Sequence, residues 1–235
     1  MKDYFWLVFL FLFFSCNKDE IQEIEGVVIN PSYSVVTDNE GNEYKTVILN
    51  NIEWLAENLR TTTYCNGDSI LNLKADSLWV NTDSGAWSHY ENDDSFSQLY
   101  GKLYNFHAIK DERNICPCGW RVPNHNDWNN LIMYLGGQIV AGGKLKLEGT
   151  DYWQNPNFAA TNESGFSAIP NSYRFYTNGD FEELGFNAYF WADDYSWYGT
   201  HPLSSVYVLE HDRGRIQRRV GLLNSGLAVR CVRDV

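Results

Sequence analysis

Cys116-Pro117-Cys118 is the stretch whose residue types most invite chemistry. Two thiols one residue apart could ligate a metal, exchange electrons or serve as structural bridges. A zinc ribbon takes two C-x2-C knuckles, whereas this chain has one C-x-C and isolated cysteines at 16, 65 and 231. A thioredoxin-type pair is C-x-x-C in a β-α-β setting, also missing. The five histidines, His89, His107, His125, His201 and His211, show neither i, i+4 nor finger-like spacing, so no shared metal site is expected. The stretch "VAGGKLK" approaches a phosphate-binding loop but carries Gln138 where its first Gly belongs and Leu145 where Ser or Thr would hold magnesium. There is no G-x-S-x-G elbow. Abundant Asp and Glu could supply a glycosidase pair, but the separation of two carboxylates cannot be read from spacing. No catalytic residue is nominated, and an enzyme is not expected.

What remains is binding. "YFWADDYSWY", residues 189–198, sets rings beside carboxylates. Aromatic faces stack on sugar rings, and carboxylates accept hydroxyl hydrogen bonds or coordinate calcium. Trp191, Asp193, Asp194, Trp197 and Tyr198 are therefore the ligand-binding candidates. Calcium is the one candidate ion, and no other cofactor is expected. The competing reading of the same rings is burial as core beneath long loops.

Compartment decides how the thiols behave. Lys2 precedes an unbroken apolar run, Phe5 to Phe14, and Ser15 stands before Cys16. The run is too short to span a bilayer, which takes about 20 apolar residues, and fits the core of a signal peptide. A cysteine at the cleavage point resembles a bacterial lipoprotein signal, with Cys16 lipidated as the new N-terminus; the alternative is an ordinary signal peptide cut elsewhere. Residues 1–15 are read as signal and the acidic residues 16–26 as tether, which resembles that of surface-displayed lipoproteins in Bacteroidota-like bacteria. The expected location is the outer membrane, lipid-anchored and facing the exterior. Removing residues 1–15 takes one Lys and one Asp, so the net charge stays at −12. That charge argues against a nucleic-acid partner and against a polybasic membrane patch. Thirteen Phe, fifteen Tyr and nine Trp are enough for a filled core. Many stand among Asn, Asp, Gly and Ser, as in loop-rich extracellular domains.

The elements that must position these residues come in a definite order. "VVINPSYSVVTDNEGNEYKTVIL" reads as strand, turn, strand about Asn39–Asn42. Asp38, Glu40 and Asn42 alternate like the start of a calcium loop without its closing Glu, so a hairpin turn is expected. "IEWLAENLRTTTY" does not settle helix against strand. Residues 66 to 98 are polar and irregular, and Leu103, Phe106 and His107 suggest a short helix. The clearest helix has Asn124 as N-cap, Asp127 three residues on, and Trp128, Leu131, Ile132 and Leu135 as one apolar stripe, ended by Gly136-Gly137. From Gly143 to about Thr200 the chain reads as loop. Strands return in "SSVYVLEH", "GRIQRRV" and "GLAVRCVRD". The order is α+β, with helices grouped and no β-α-β alternation.

Five blocks then stand together: "DNEGNEYKTVILNNIEWLAENLRTTTY", "YGKLYNFHA", "NICPCGWRVPNHNDWNNLIMYLGG", "TNESGFSAIPNSYR" and "VRCVRD". In order, they resemble the Fibrobacter succinogenes major paralogous domain, found in bacterial secreted proteins and lipoproteins, over about residues 27 to 235. More remotely, "WRVPNHNDWNNL" and "GFSAIPNSYR" resemble turns of formylglycine-generating-enzyme-like domains. This implies a C-type-lectin-like fold: two main helices, a long-loop region and a C-terminal antiparallel sheet, here preceded by the β-hairpin. Residues 189–198 would fall among its long loops. The reactive cysteine pair of the copper-dependent enzymes is not matched, since only Cys231 lies in that part of the chain. The resemblance implies adhesion or polysaccharide binding, so the expected partner is a cell-surface or dietary glycan. The alternatives are an assembly component bound by another surface protein and, last, a polysaccharide-acting enzyme.

Export makes disulfides the default for the four cysteines other than Cys16, which permit three pairings. A direct Cys116–Cys118 bond would close a strained ring. The family pattern couples the first cysteine of its third block with that of the last. The resemblance therefore implies Cys116–Cys231, and Cys65–Cys118 as the two departures from the pattern.

Overall fold

Asp38 organises the first turn. Its Oδ1 accepts from the backbone N–H of Glu40 (3.0 Å) and Asn42 (2.9 Å), and its Oδ2 from the Tyr44 hydroxyl (2.8 Å). Those bonds commit both oxygens to the turn. β1 (Ser32–Thr37) and β2 (Glu43–Leu49) consequently pair antiparallel, from Ser32↔Ile48 to Thr37↔Glu43. The structure, a computed structural model, describes residues 29, 31–182, 184–198 and 201–235, without the side chains of 196–198 and 201–202. The signal-like segment, Cys16 and the tether lie outside the described residues.

The segment left open between helix and strand is a strand, β3 (Ile52–Leu55). Leu49 pairs with Ile52, so the connecting loop is Asn50-Asn51, and both take positive φ (52° and 62°). A two-residue hairpin loop of this twist demands that conformation, and Asn tolerates it best after Gly.

The polar stretch that follows is mostly loop around short elements: β4 (Leu71–Asn72), α1 (Asp76–Trp79), β5 (Ala86–Ser88), α2 (Ser97–Tyr100), β6 (Leu103–Tyr104) and α3 (Phe106–Ile109). β4, β5 and β6 form a small mixed sheet.

α4 (His125–Tyr134) has the expected cap. The Asn124 side chain accepts from the N–H of Asn126 and Asp127, and the Asp127 carboxylate from the N–H of Asn124. Trp128, Leu131, Ile132 and Leu135 are buried as one stripe. Gly136-Gly137 ends α4 and is followed at once by a second helix, α5 (Gln138–Leu145), whose last three residues fall in the stretch expected as loop from Gly143. Its glycines serve close packing rather than flexibility: a Cβ on Gly142 would lie 2.5 Å from the Arg215 backbone, and one on Gly143 2.2 Å from the Ala159 carbonyl oxygen.

A further correction concerns residues 187–198, expected as loop. They form β7 (Asn187–Tyr198), which pairs antiparallel with β8 (His201–Glu210), itself paired with β9 (Ile216–Leu222). Successive strand side chains point to opposite faces, and here both faces are covered. Tyr189, Trp191, Val206 and Val208 enter one core cluster. Ala188, Phe190, Ala192, Tyr207 and Leu209 enter the other. The last segment alternates likewise: Leu227, Val229 and Cys231 face the first cluster, Ala228 and Val232 the second. Its end, β10 (Val232–Asp234), pairs with β3 and completes a sheet ordered β1-β2-β3-β10. The architecture is mixed α+β, several helices on three small sheets.

Two disulfides close this frame. Cys116–Cys231 lies inside the first cluster with a Cα separation of 5.9 Å, and Cys65–Cys118 ties two loops at 5.2 Å. These are the two pairs the resemblance implied. The first spans 115 residues, a loop closure that the chain-entropy account values at about 4–5 kcal/mol.

Long loops bury carbonyls, and buried carbonyls need donors. Two buried cations supply them. The Lys146 ammonium donates to the carbonyls of Phe158, Glu210 and Arg213 at 2.9–3.0 Å. The Arg174 guanidinium donates to those of Gly179, Leu73 and Lys74, and pairs with Asp76 at 2.8 Å. Its Cζ lies 4.5 Å from the centre of the Trp79 ring and 5.0 Å from that of Phe181.

Candidate functional site

Of the residues nominated from the sequence, one is settled by its burial. Trp191 is fully buried, its Nε1 donating to the Tyr104 carbonyl at 2.7 Å and its ring packed against Phe106. It is core, as the competing reading had it. Asp193 pairs with Lys110 at 2.9 Å. Asp194 sits in the irregularity of β7 between Trp191 and Tyr195, where the strand carries extra residues relative to β8. Trp197 and Tyr198 continue β7 opposite Pro202 and His201, and their side chains lie outside the described residues. His89, His107 and His125 are engaged separately, with Ser97, Asn224 and Tyr207.

A different place has the shape of a site. A cleft of about 700 Å³ opens between β1, α2 and the loops that follow β3 and α5. That volume falls in the range of small-ligand sites, about 300–1,000 Å³. Tyr33 and Val35, both 58% exposed, Leu99, 44% exposed, Tyr152 and Ile169 give it apolar and aromatic walls. Tyr33 can lean into the cleft because residue 165 has no side chain: a Cβ there would meet its hydroxyl at 2.3 Å. Gly165 also takes φ of 69°, a conformation other residues rarely adopt.

The base of the cleft is polar. Asn58, Ser167 and Arg230 line it, with Lys45 and Glu57 beside them. Glu57 is fixed by accepting the Lys45 backbone N–H at 2.7 Å. Arg230 is 1% exposed. Its Nε donates to Asn58 Oδ1 (2.6 Å), its Nη1 to the carbonyls of Leu55 (3.1 Å) and Phe166 (2.8 Å), and its Nη2 to that of Ser167 (3.3 Å). The Phe166 and Phe190 rings lie against the guanidinium, 4.6 and 5.6 Å from it. All four acceptors are neutral. Burial pulls the guanidinium well below its ordinary range, and the nearby Glu57 carboxylate opposes that pull. Aromatic walls over a polar base of acceptor and donor groups can stack a sugar ring and bond its hydroxyls.

None of this was found by reading motifs, because the contributing residues come from distant parts of the chain. One signal was available. Leu227 to Val232 is an apolar run interrupted only by Arg230, and a charge amid residues destined for burial on both faces needs a purpose.

The profile of the Fibrobacter succinogenes major domain matches residues 47–233, most of the chain, and the protein belongs to that family. No curated protein and no solved structure matches it.

Proposed function

Taking that membership as the premise, we propose that the protein is a surface-displayed lipoprotein whose domain binds glycan without transforming it. The observation that carries this reading is the cleft, with Tyr33 and Tyr152 on its walls and Glu57, Asn58 and Arg230 at its base. The anchor of the proposal is Cys16 in the outer membrane, supported by the signal-like residues before it. A C-type-lectin-like arrangement is part of the same reading. Its support is the adjacency of α4 and α5, the long loops that follow them, and the antiparallel strands near the C-terminus.

The full chain, purified in detergent, is tested on a glycan array. Binding that Tyr152→Ala weakens about tenfold or more supports the cleft as its seat, since stacking on an aromatic face contributes on that scale. Turnover of a polysaccharide would instead make the protein an enzyme. Metabolic labelling with a fatty acid tests the anchor, and label that persists in Cys16→Ala excludes it.

The second reading, an assembly component bound by another surface protein, has its own support. Ile139 (73% exposed), Val140 and Phe158 (56% exposed) border a hollow of about 540 Å³ beside α5. Exposed apolar side chains gathered in one place are a common feature of protein contact sites. Silence on glycans together with capture of a surface protein, lost in Ile139→Asp, would favour it.

A further inference from the structure

We propose that the cleft selects saccharides carrying a singly charged acid group, a carboxylate or a sulfate ester, and seats that group against Nη2 of Arg230. The inference rests on the glycan reading of the cleft and narrows it to a ligand class.

Three observations carry it. The first is an uncompensated charge. Arg230 makes no ion pair among the described residues; its four acceptors are three carbonyls and the Asn58 amide oxygen. A buried cation without a counter-charge is costly, and the structure accepts that cost at the base of an open cleft.

The second is orientation. Asn58 and Ser167 line the cleft, whereas Leu55 and Phe166 do not. The edge turned toward the cleft is therefore Nε and Nη2, and the edge turned into the core is Nη1. A guanidinium has five N–H donors. Among the described residues four find acceptors, and the fifth is on Nη2, the cleft-facing nitrogen.

The third is local charge. Lys45 and Arg230 against Glu57 leave the cleft with a surplus positive charge, on a chain whose net charge is −12. One surplus charge and one unengaged donor match one singly charged group. Glu57 would repel that group, so the group sits on the Arg230 side and Glu57 accepts hydroxyls from the rest of the sugar.

The experiment uses the full chain in detergent and matched pairs of oligosaccharides: uronates with their carboxyl-reduced forms, and sulfated chains with their desulfated forms. Removal of the acid group is expected to weaken binding about tenfold or more, the scale of a charge-assisted hydrogen bond. Whichever pair shows the loss identifies the source of the acid group. Equal binding within both pairs overturns the proposal and leaves the glycan reading standing. Binding to no saccharide overturns both. Because Arg230→Ala is expected to disrupt the core, the variant that reports on the cleft is Glu57→Gln. Both members of a pair lose the same hydroxyl acceptor, so the readout is their ratio: the variant should favour the acidic ligand over its neutral counterpart by about threefold more than wild type does. An equal effect on both overturns the assignment of the acid group to this cleft.

Discussion

Arg174 and Arg230 are both buried and each lies against two aromatic rings, yet only one of them is paired with a carboxylate. Arg174 holds three loop carbonyls and pairs with Asp76. Arg230 holds three carbonyls too, but an amide, Asn58, stands where the acid would be. The first site closes a loop cluster and is finished by the chain itself. The second lines a cleft and keeps its charge. The lesson is that burial alone does not distinguish a structural cation from one with charge to spare; the partner set does.

The largest expected effect is shared by both sites. Arg174→Ala and Arg230→Ala each strand three buried carbonyls, and each should cost about 3–5 kcal/mol in urea unfolding. A loss below about 1 kcal/mol at either position would end the parallel, since ordinary surface changes cost less than that. Next in size is a change that makes one site into the other. Asn58→Asp gives Arg230 the carboxylate that Arg174 has. It should keep the fold and lower affinity for acidic saccharides about tenfold, measured by titration calorimetry. Unchanged affinity would break the comparison at its centre.

The smallest effect uses another buried cation, Lys146, which pairs with no carboxylate among the described residues and can titrate. Burial pushes its pKa down to about 8. Between about 8 and its ordinary value near 10.4, the unfolded chain holds this proton and the folded chain has released it. This group's contribution to stability therefore rises with pH across that window and falls back as pH drops through 8. The stability difference between wild type and Lys146→Met should shift in favour of wild type by about 1 kcal/mol from pH 8 to pH 9. A flat difference would place the amine in water rather than among its three carbonyls.

Local rules carried part of the fold. The Asp38 turn, the Asn124 cap and the α4 stripe are each decided by residues a few positions apart, and all three were legible. Asn50-Asn51 held an unread signal, because two residues suited to positive φ between apolar stretches already specify a tight hairpin. α5 was hidden by Gly142-Gly143, which resemble a breaker but admit two backbones at contact distance. β7 was hidden because both of its faces are covered, which erases the polar alternation that marks a half-buried strand. The same burial explains Trp191, placed by its neighbours in the core rather than at a surface. The cleft was beyond local reading. Tyr33, Asn58, Tyr152 and Arg230 meet only through the sheet that joins β1 to β10 and the loops packed over it.

The segment from Leu227 to Val232 has a consequence for how the protein comes apart. It enters both core clusters, bonds its neighbours at Tyr104, Tyr189 and Arg121, and carries both Arg230 and one end of the longer disulfide. Without it Trp54, Trp128 and Trp191 lose part of their surroundings, and Cys116 loses its partner. The segment is the keystone of the domain: peeling it away would undo cleft and core together.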